Sequence, residues 1–338
     1  MKTRQTSLVE VPWQMKSYLE EGPDGFYVGN HVKVDGGAKS ASGELYVKFE
    51  QHEKVEFIKR NLFCPNVGPG IEELKKRGIL VFLKRDQGKI SDHVSEITLF
   101  REINIAERVG WSGLRFGLPN GEILSPSGET SPIAYQTGAV TVSVKGTAQQ
   151  FRRKVAKFVQ DQHIMLFCMM VSFAAPLLSQ SRIQGNFGFM LSGPARKGKT
   201  TGLEVAAAVW GPVLDGPEGR YYLKFNNTQN RIEELMPFYN DMPLIIDELS
   251  SHGTRASRVD GFRTLVHHLA GVDAKGRYGD AVKPAEQTRT IVLISSNDGI
   301  NELLASESAD AAEGAIDRMF DIPVPQGDEG CFNRLLKK

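Results

Sequence analysis

Cysteine is scarce: three residues among 338, Cys64, Cys168 and Cys331, far apart in the chain. No disulfide framework and no metal-binding pair of close thiols can be drawn from that spacing. It fits ordinary thiols in a reducing compartment. Net charge is nearly absent as well. Forty-one basic residues against 40 acidic ones leave +1, so no global positive field draws in nucleic acid, and any such surface must be local. Long apolar runs are missing. Met1–Glu20 has no apolar core followed by a cleavage site, so no secretory signal is expected. The uncharged stretch Ile164–Ser179 falls short of the ~20 residues a membrane span needs and contains Ser172 and Pro176. It is expected to be a buried helix, and the protein to be cytoplasmic with no membrane partner. His31, His52 and His93 stand alone, without ligand or catalytic spacing.

What is present supports a folded core. Hydrophobic residues make up 41% and charged residues 24%, and the length allows two domains. Residues 22–60 alternate in the manner of strands, in FYVGNHVKV, ELYVKFEQ and KVEFIKR, with glycine-rich breaks such as Asp35-Gly36-Gly37 between them. Ile71–Arg77 reads as a short helix and Ile79–Lys84 as another strand. Ser91–Val109 reads as a helix capped by Ser91 or Asp92. Pro119-Asn120-Gly121 marks a turn. Residues 1–145 are therefore expected to form a strand-rich α+β domain. From Gly146 the pattern turns helical. Phe151, Val155, Phe158 and Val159 make one face, and Arg152, Arg153, Lys154 and Lys157 a basic one, expected to be solvated or else a nucleic-acid or inter-subunit contact. Residues 146–184 are expected to be a helical linker or subdomain.

The chemistry concentrates after that. A strand-length apolar run, Phe187–Ser192, leads into Gly193-Pro194-Ala195-Arg196-Lys197-Gly198-Lys199-Thr200-Thr201. Leu203, Ala206, Ala207 and Trp210 then recur at helical spacing until Gly211-Pro212. Strand, glycine-bounded loop and helix are the context of a phosphate-binding loop. A triphosphate is densely anionic, and main-chain N–H groups at a helix start suit it. The two glycines let the backbone curl around the phosphates. Lys199 would reach the β and γ phosphates, and Thr200 would place its hydroxyl on Mg²⁺. Nucleotide contacts are thus expected from residues 193–201, with ATP and Mg²⁺ as cofactors.

Two further strands carry polar tips. Pro243–Ile246 ends in Asp247-Glu248, as a buried parallel strand does at the edge where ligands sit. Asp247 would hold Mg²⁺, and Glu248 would take the proton of the attacking water. TIVLISSND ends in Ser295, Ser296 and Asn297, and Asn297 is placed to bridge water and γ-phosphate. Arg318, ahead of another strand-like run, would neutralise transition-state charge or else pair with Asp317 or Asp321. The glycine-broken stretch Gly271–Gln287 carries Lys275, Arg277 and Lys283.

The order GPARKGKTT, LIIDE, ISSND and GAIDR–IPVP resembles the ATPases of the AAA+ class. With ERVGWSGLRFGLPNGEI upstream, FAAPLL before the loop and AAAVWG after it, the chain is similar to the family called domain of unknown function nine-two-seven. Its members occur in phages, plasmids and mobile cassettes. The resemblance implies a parallel sheet flanked by helices over residues 185–338, and a ring, a hexamer, with ATP between subunits. Arg318 would then act on the next subunit's nucleotide. The 271–287 insert would form a hairpin whose Lys275 and Arg277 touch the backbone of single-stranded or forked DNA, contacts that give affinity without sequence choice. Either residues 147–180 supply a helical lid or the chain is a fragment. The function expected is a DNA helicase or translocase; the alternative is an AAA+ switch that remodels protein partners. A phosphotransferase fits less well, because an acid pair at a strand tip followed by Asn297 serves water and not an acceptor.

Overall fold

In the computed structural model, the chain is described at residues 20–22, 25–28, 32–81, 84–128, 131–183, 185–214, 219–224, 232, 234–249, 254–269, 288–305, 317–327 and 329–333. Its contacts divide it into two compact units. One comprises Met1–Glu107 with Thr130–Gln136, the other Arg108–Glu129 with Thr137–Lys338.

The first unit is a six-stranded sheet. Strands β1 (Glu20–Gly22), β2 (Gly25–Val28), β3 (Val32–Lys39), β4 (Leu45–Gln51) and β5 (Lys54–Lys59) follow one another in antiparallel order, and β6 (Phe100–Glu102) joins β3 in parallel. Alternation does the work expected of it. Val32, Val34, Val47, Phe49 and Ile58 turn to one face and meet Phe63, Ile71, Leu74, Ile90 and Val94. Full burial of such side chains contributes about 1.5–3 kcal/mol each, which is what holds helices α1 (Gly68–Lys76) and α2 (Lys84–Glu96) against the sheet.

Three expectations for this unit are corrected. Asp35-Gly36-Gly37 does not break a strand: β3 runs through it with a register shift between Val34 and Gly37, an irregularity that glycine absorbs. The described residues of the strand expected at Ile79–Lys84 are not in one. Ile79 and Val81 are buried as irregular chain, Leu80 N–H donates to Gln51 Oε1 (2.9 Å), and Lys84 already opens α2. The helix expected at Ser91–Val109 therefore starts earlier and stops at Glu96. Its period is set by buried Asp86, Ile90 and Val94, so Ser91 lies mid-helix, bonded to Phe63 O, and caps nothing.

The second unit holds a five-stranded parallel sheet in the order β11-β12-β13-β10-β14. The strands are β10 (Phe187–Ser192), β11 (Leu223–Lys224), β12 (Met242–Asp247), β13 (Thr290–Ser296) and β14 (Met319–Pro323). Every residue of β12 and β13 is buried, the signature of strands covered on both faces. Helix α3 (His163–Ala174) continues as a tight 3-10 turn to Gln180 and packs on α4 (Lys199–Ala207), with Ser172 Oγ donating to Ala206 O (2.7 Å). His163–Gln180 is apolar and long enough to be a membrane candidate by composition alone. Here Met165, Cys168, Met169, Val171 and Ser172 of α3 are buried within the fold. Helix α5 (Arg255–Leu269) buries Phe262, Leu265 and Leu269, and α6 (Ile300–Leu304) follows β13. The stretch expected as a helix over Gln229–Tyr239 is described mainly at its end, where Met236–Tyr239 is a 3-10 turn.

Strands β7 (Gly110–Ser112), β8 (Arg115–Gly117) and β9 (Ile123–Leu124) form a small antiparallel sheet in the same unit. Its Gly110-Trp111 start is explained by one buried carboxylate. Asp241, with no exposed surface, accepts from Trp111 N–H (3.0 Å) and makes a bidentate pair with Arg289 Nε (2.7 Å) and Nη2 (3.0 Å). Gly110 has φ +91°, and a Cβ there would run into the Asp241 carboxylate, so only glycine fits. Asp241 thus ties β7 to the entries of β12 and β13. Removing one partner of a buried pair leaves the other charge uncompensated. Because Arg289 keeps a third of its side chain in solvent, Asp241→Ala is expected to lower the unfolding free energy by about 1.5–3 kcal/mol in urea titrations. A loss below about 1 kcal/mol would show that the pair is dispensable.

Candidate functional site

All strands of the parallel sheet point the same way, so the tips of β10, β12 and β13 share one edge. From β10 the chain crosses to β11 on one side, and from β13 it crosses to β14 on the other. The β10/β13 pair is thus where the connections diverge, the place in such sheets where ligands settle. A cleft of about 460 Å³ opens there.

The loop after β10 forms one wall. Gly193 (φ +136°), Arg196 (φ +62°) and Gly198 (φ +85°) all adopt left-handed backbone, which curls the chain back on itself. Gly198 is the N-cap of α4, with no side-chain cap, so the positive end of the helix faces the cleft. A Cβ at Gly198 would lie 2.8 Å from the Phe332 ring. Lys199, 8% exposed, donates from Nζ to Gly193 O (2.6 Å), Pro194 O (2.6 Å) and Asn297 Oδ1 (3.1 Å). Burial is the main cause that lowers its pKa below 10.5. The nearby Cys331, Asp247 and Glu248 oppose that shift.

The tips of β12 and β13 form the other wall. Asp247, 6% exposed, accepts through Oδ1 from Thr200 Oγ1 (3.2 Å) and from Ser295 Oγ (2.8 Å). Ser295 Oγ in turn accepts from Glu248 N–H (2.9 Å). Glu248 is exposed at the cleft with φ +63°, a conformation unusual for glutamate. Beyond Asn297, Asp298 pairs with Arg258 Nε of α5 (3.0 Å), which pins the turn that carries Asn297.

The residues singled out in the sequence are distributed as follows. Ala195, Arg196, Gly198, Lys199, Thr200, Thr201, Asp247, Glu248 and Asn297 line this one cleft together. Gly193 and Pro194 contribute the carbonyls that hold Lys199. Lys197 does not line it: its Nζ donates to Gly327 O (2.9 Å). Arg318 is not in this cleft either. It precedes β14, where its carbonyl accepts from Gly188 N–H (2.8 Å), at the end of the sheet opposite the strand tips. Lys275, Arg277 and Lys283 lie outside the described residues.

Two contributions escaped the sequence reading. Ser295 couples Asp247 to Glu248, and only the β12–β13 adjacency reveals it. The segment Val324–Asn333 runs along the loop. Val324 N–H donates to Ser192 O (2.7 Å), Cys331 N–H to Lys197 O (2.7 Å), and Phe332 reaches the cleft. A Gly-Cys-Phe run without periodicity carries no signal for that.

Fold and site together define a mixed α/β protein with a polar cleft at the carboxyl edge of a five-stranded parallel sheet. A profile of the family described as Domain of unknown function (DUF927) matches residues 45–280, more than half of the chain, and the chain belongs to that family. Among solved structures it is similar to one titled SCCmec type IV Cch, an active helicase, with a TM-score of 0.54 and 16% sequence identity. The match covers 91% of this chain and 59% of that one, so this chain spans little more than half the length of its neighbour. At that identity the likeness is one of fold. Comparison with curated proteins finds no match.

Proposed function

We propose that this protein is an ATP-hydrolysing motor of the AAA+ class, a ring-forming DNA helicase or translocase of a phage or mobile element. The observation that carries the reading is the convergence of Lys199, Thr200, Asp247 and Asn297 in one cleft beneath an uncapped helix start. The donor set suits a magnesium nucleotide. The curled main chain and Lys199 offer donors to phosphate oxygens. Thr200 Oγ1, which donates to Asp247 Oδ1 (3.2 Å), and the Asp247 carboxylate would hold Mg²⁺, Asp247 through the ion's water shell. When bound, Mg²⁺ supplies charge neutralisation across the β and γ phosphates. Glu248 takes the proton of the attacking water, and Asn297, already at Lys199, orients that water against the γ-phosphate.

In this reading the motor core is residues 185–338, preceded by helical residues 146–184 and the domain at 1–145. Arg318, far from its own chain's cleft, serves the neighbouring subunit of a hexamer, and Lys275, Arg277 and Lys283 face DNA in the central channel. The protein works in the cytoplasm. A helicase among structures of like fold supports the choice of a DNA motor.

The experiment is ATP hydrolysis by the purified chain with and without single-stranded DNA, followed by strand displacement on a forked duplex. DNA is expected to raise turnover at least about tenfold, with ATP-dependent displacement, an effect within what positioning of catalytic groups delivers. Hydrolysis that is indifferent to DNA and displaces no strand would instead select the remodelling ATPase that acts on protein partners.

A further inference from the structure

The polar half of the cleft accounts for phosphates and metal, but one lining residue does not belong to that chemistry. Phe332 is the only aromatic side chain among the described residues lining the cleft, and it is half-buried against the loop. The segment that presents it is fixed from two sides. On the loop side, Cys331 N–H donates to Lys197 O (2.7 Å) and Lys197 Nζ donates to Gly327 O (2.9 Å). Gly330, with φ +56°, sits where any Cβ would strike the Lys197 main chain. On the helix side, Asn333 N–H donates to Gln162 Oε1 (2.6 Å), and His163 N–H donates to Asn333 Oδ1 (2.8 Å), capping the start of α3. The ring edge occupies the space a Cβ at Gly198 would need.

A ring held this firmly beside a phosphate-type loop, with one side open to the cleft, has lost the rotamer freedom that an aromatic surface residue keeps. We propose that Phe332 is the base-side wall of the site: its face stacks on the base of a nucleoside triphosphate whose phosphates lie along Gly193–Thr200. The proposal rests on the nucleotide reading of the cleft and deepens it. A π-face contacts bases by area and has no hydrogen-bonding edge to read. The ligand class is therefore a nucleoside triphosphate, and inorganic triphosphate fills only half of the site. Phe332 is a specificity residue, and the bonds to Lys197, Gln162 and His163 are what pre-organise it.

The test compares Mg·ATP with Mg·tripolyphosphate, which has the same phosphate chain and no base, by calorimetry on the full chain. Wild type is expected to bind both, ATP more tightly. Phe332→Ala should weaken ATP about tenfold, a typical loss for one base–aromatic stack, and leave tripolyphosphate within twofold. Phe332→Leu keeps apolar packing against Gly198 and should show the same selective loss. Phe332→Trp should retain ATP, with its fluorescence quenched by ATP and not by tripolyphosphate. Equal losses for the two ligands, or no loss, would overturn the stacking role while leaving the phosphate site standing. Failure of the wild type to bind either ligand would overturn the nucleotide reading and the stacking role with it.

Discussion

Lys199→Ala is expected to weaken Mg·ATP binding at least about 100-fold while the protein stays folded. The ammonium lies between the loop and the tip of β13, bonded to Gly193 O, Pro194 O and Asn297 Oδ1. In the proposed nucleotide complex, phosphate oxygens, which carry more negative charge, would draw Nζ away from those carbonyls. Hydrogen bonds to a charged group contribute about 1.5–3 kcal/mol each, so loss of two such bonds accounts for the expected factor. Stability responds differently. Burial lowers the Lys199 pKa, so in the folded protein the charged form is disfavoured. That penalty is fully present below the folded pKa. It fades as pH rises through the folded pKa toward 10.5, because the folded protein sheds the proton there while the unfolded chain still holds it. The alanine variant lacks the penalty and this pH slope, so its Tm at neutral pH should lie within a few degrees of wild type. Calorimetric titration with ATP and a thermal scan decide the matter. A folded variant whose ATP affinity stays within threefold of wild type would remove Lys199 from the site.

How far the sequence reached can be judged from particular elements. The second unit was legible because its strands are buried on both faces and their polar tips follow apolar runs, as in Pro243–Ile246 before Asp247 and Thr290–Ile294 before Ser295. An abrupt change from apolar to acidic marks where a buried strand ends, and Asp247 stands at such an end. The 79–84 and 91–109 stretches were misread because short apolar runs are equally compatible with a strand, a helix or a buried turn until their partners are known. Ile79 and Val81 fill the first core from irregular chain, which no period announces. Gly110-Trp111 stood out as a motif, yet its reason lay in Asp241 and Arg289, residues distant in sequence that meet only because β12 and β13 are neighbours. The same holds for Ser295, and for Phe332, whose place depends on a segment crossing back over the loop.

Glu248→Gln should separate binding from turnover: kcat for ATP hydrolysis falls by about 10²–10⁴-fold, the range for loss of a positioned general base, while ATP affinity stays within threefold. Shape and reach are nearly conserved, while the carboxylate's charge and its capacity to accept a proton are lost. The main chain argues that this carboxylate is placed with care. Its left-handed φ of +63° costs energy for a non-glycine residue, and the conformation persists because Ser295 Oγ takes the Glu248 N–H at 2.9 Å while donating to Asp247 at 2.8 Å. One hydroxyl thereby fixes the spacing between the acid assigned to metal and the acid assigned to water. The two neighbours should consequently fail in different ways. Asp247→Asn removes a charge that Mg²⁺ needs, so its defect should deepen as Mg²⁺ is lowered. The Glu248→Gln defect should be the same at every Mg²⁺ concentration, because the missing function is proton transfer. Single-turnover hydrolysis at two Mg²⁺ levels reads this directly. If Glu248→Gln hydrolyses ATP at the wild-type rate, the proton goes elsewhere and Glu248 is not the base.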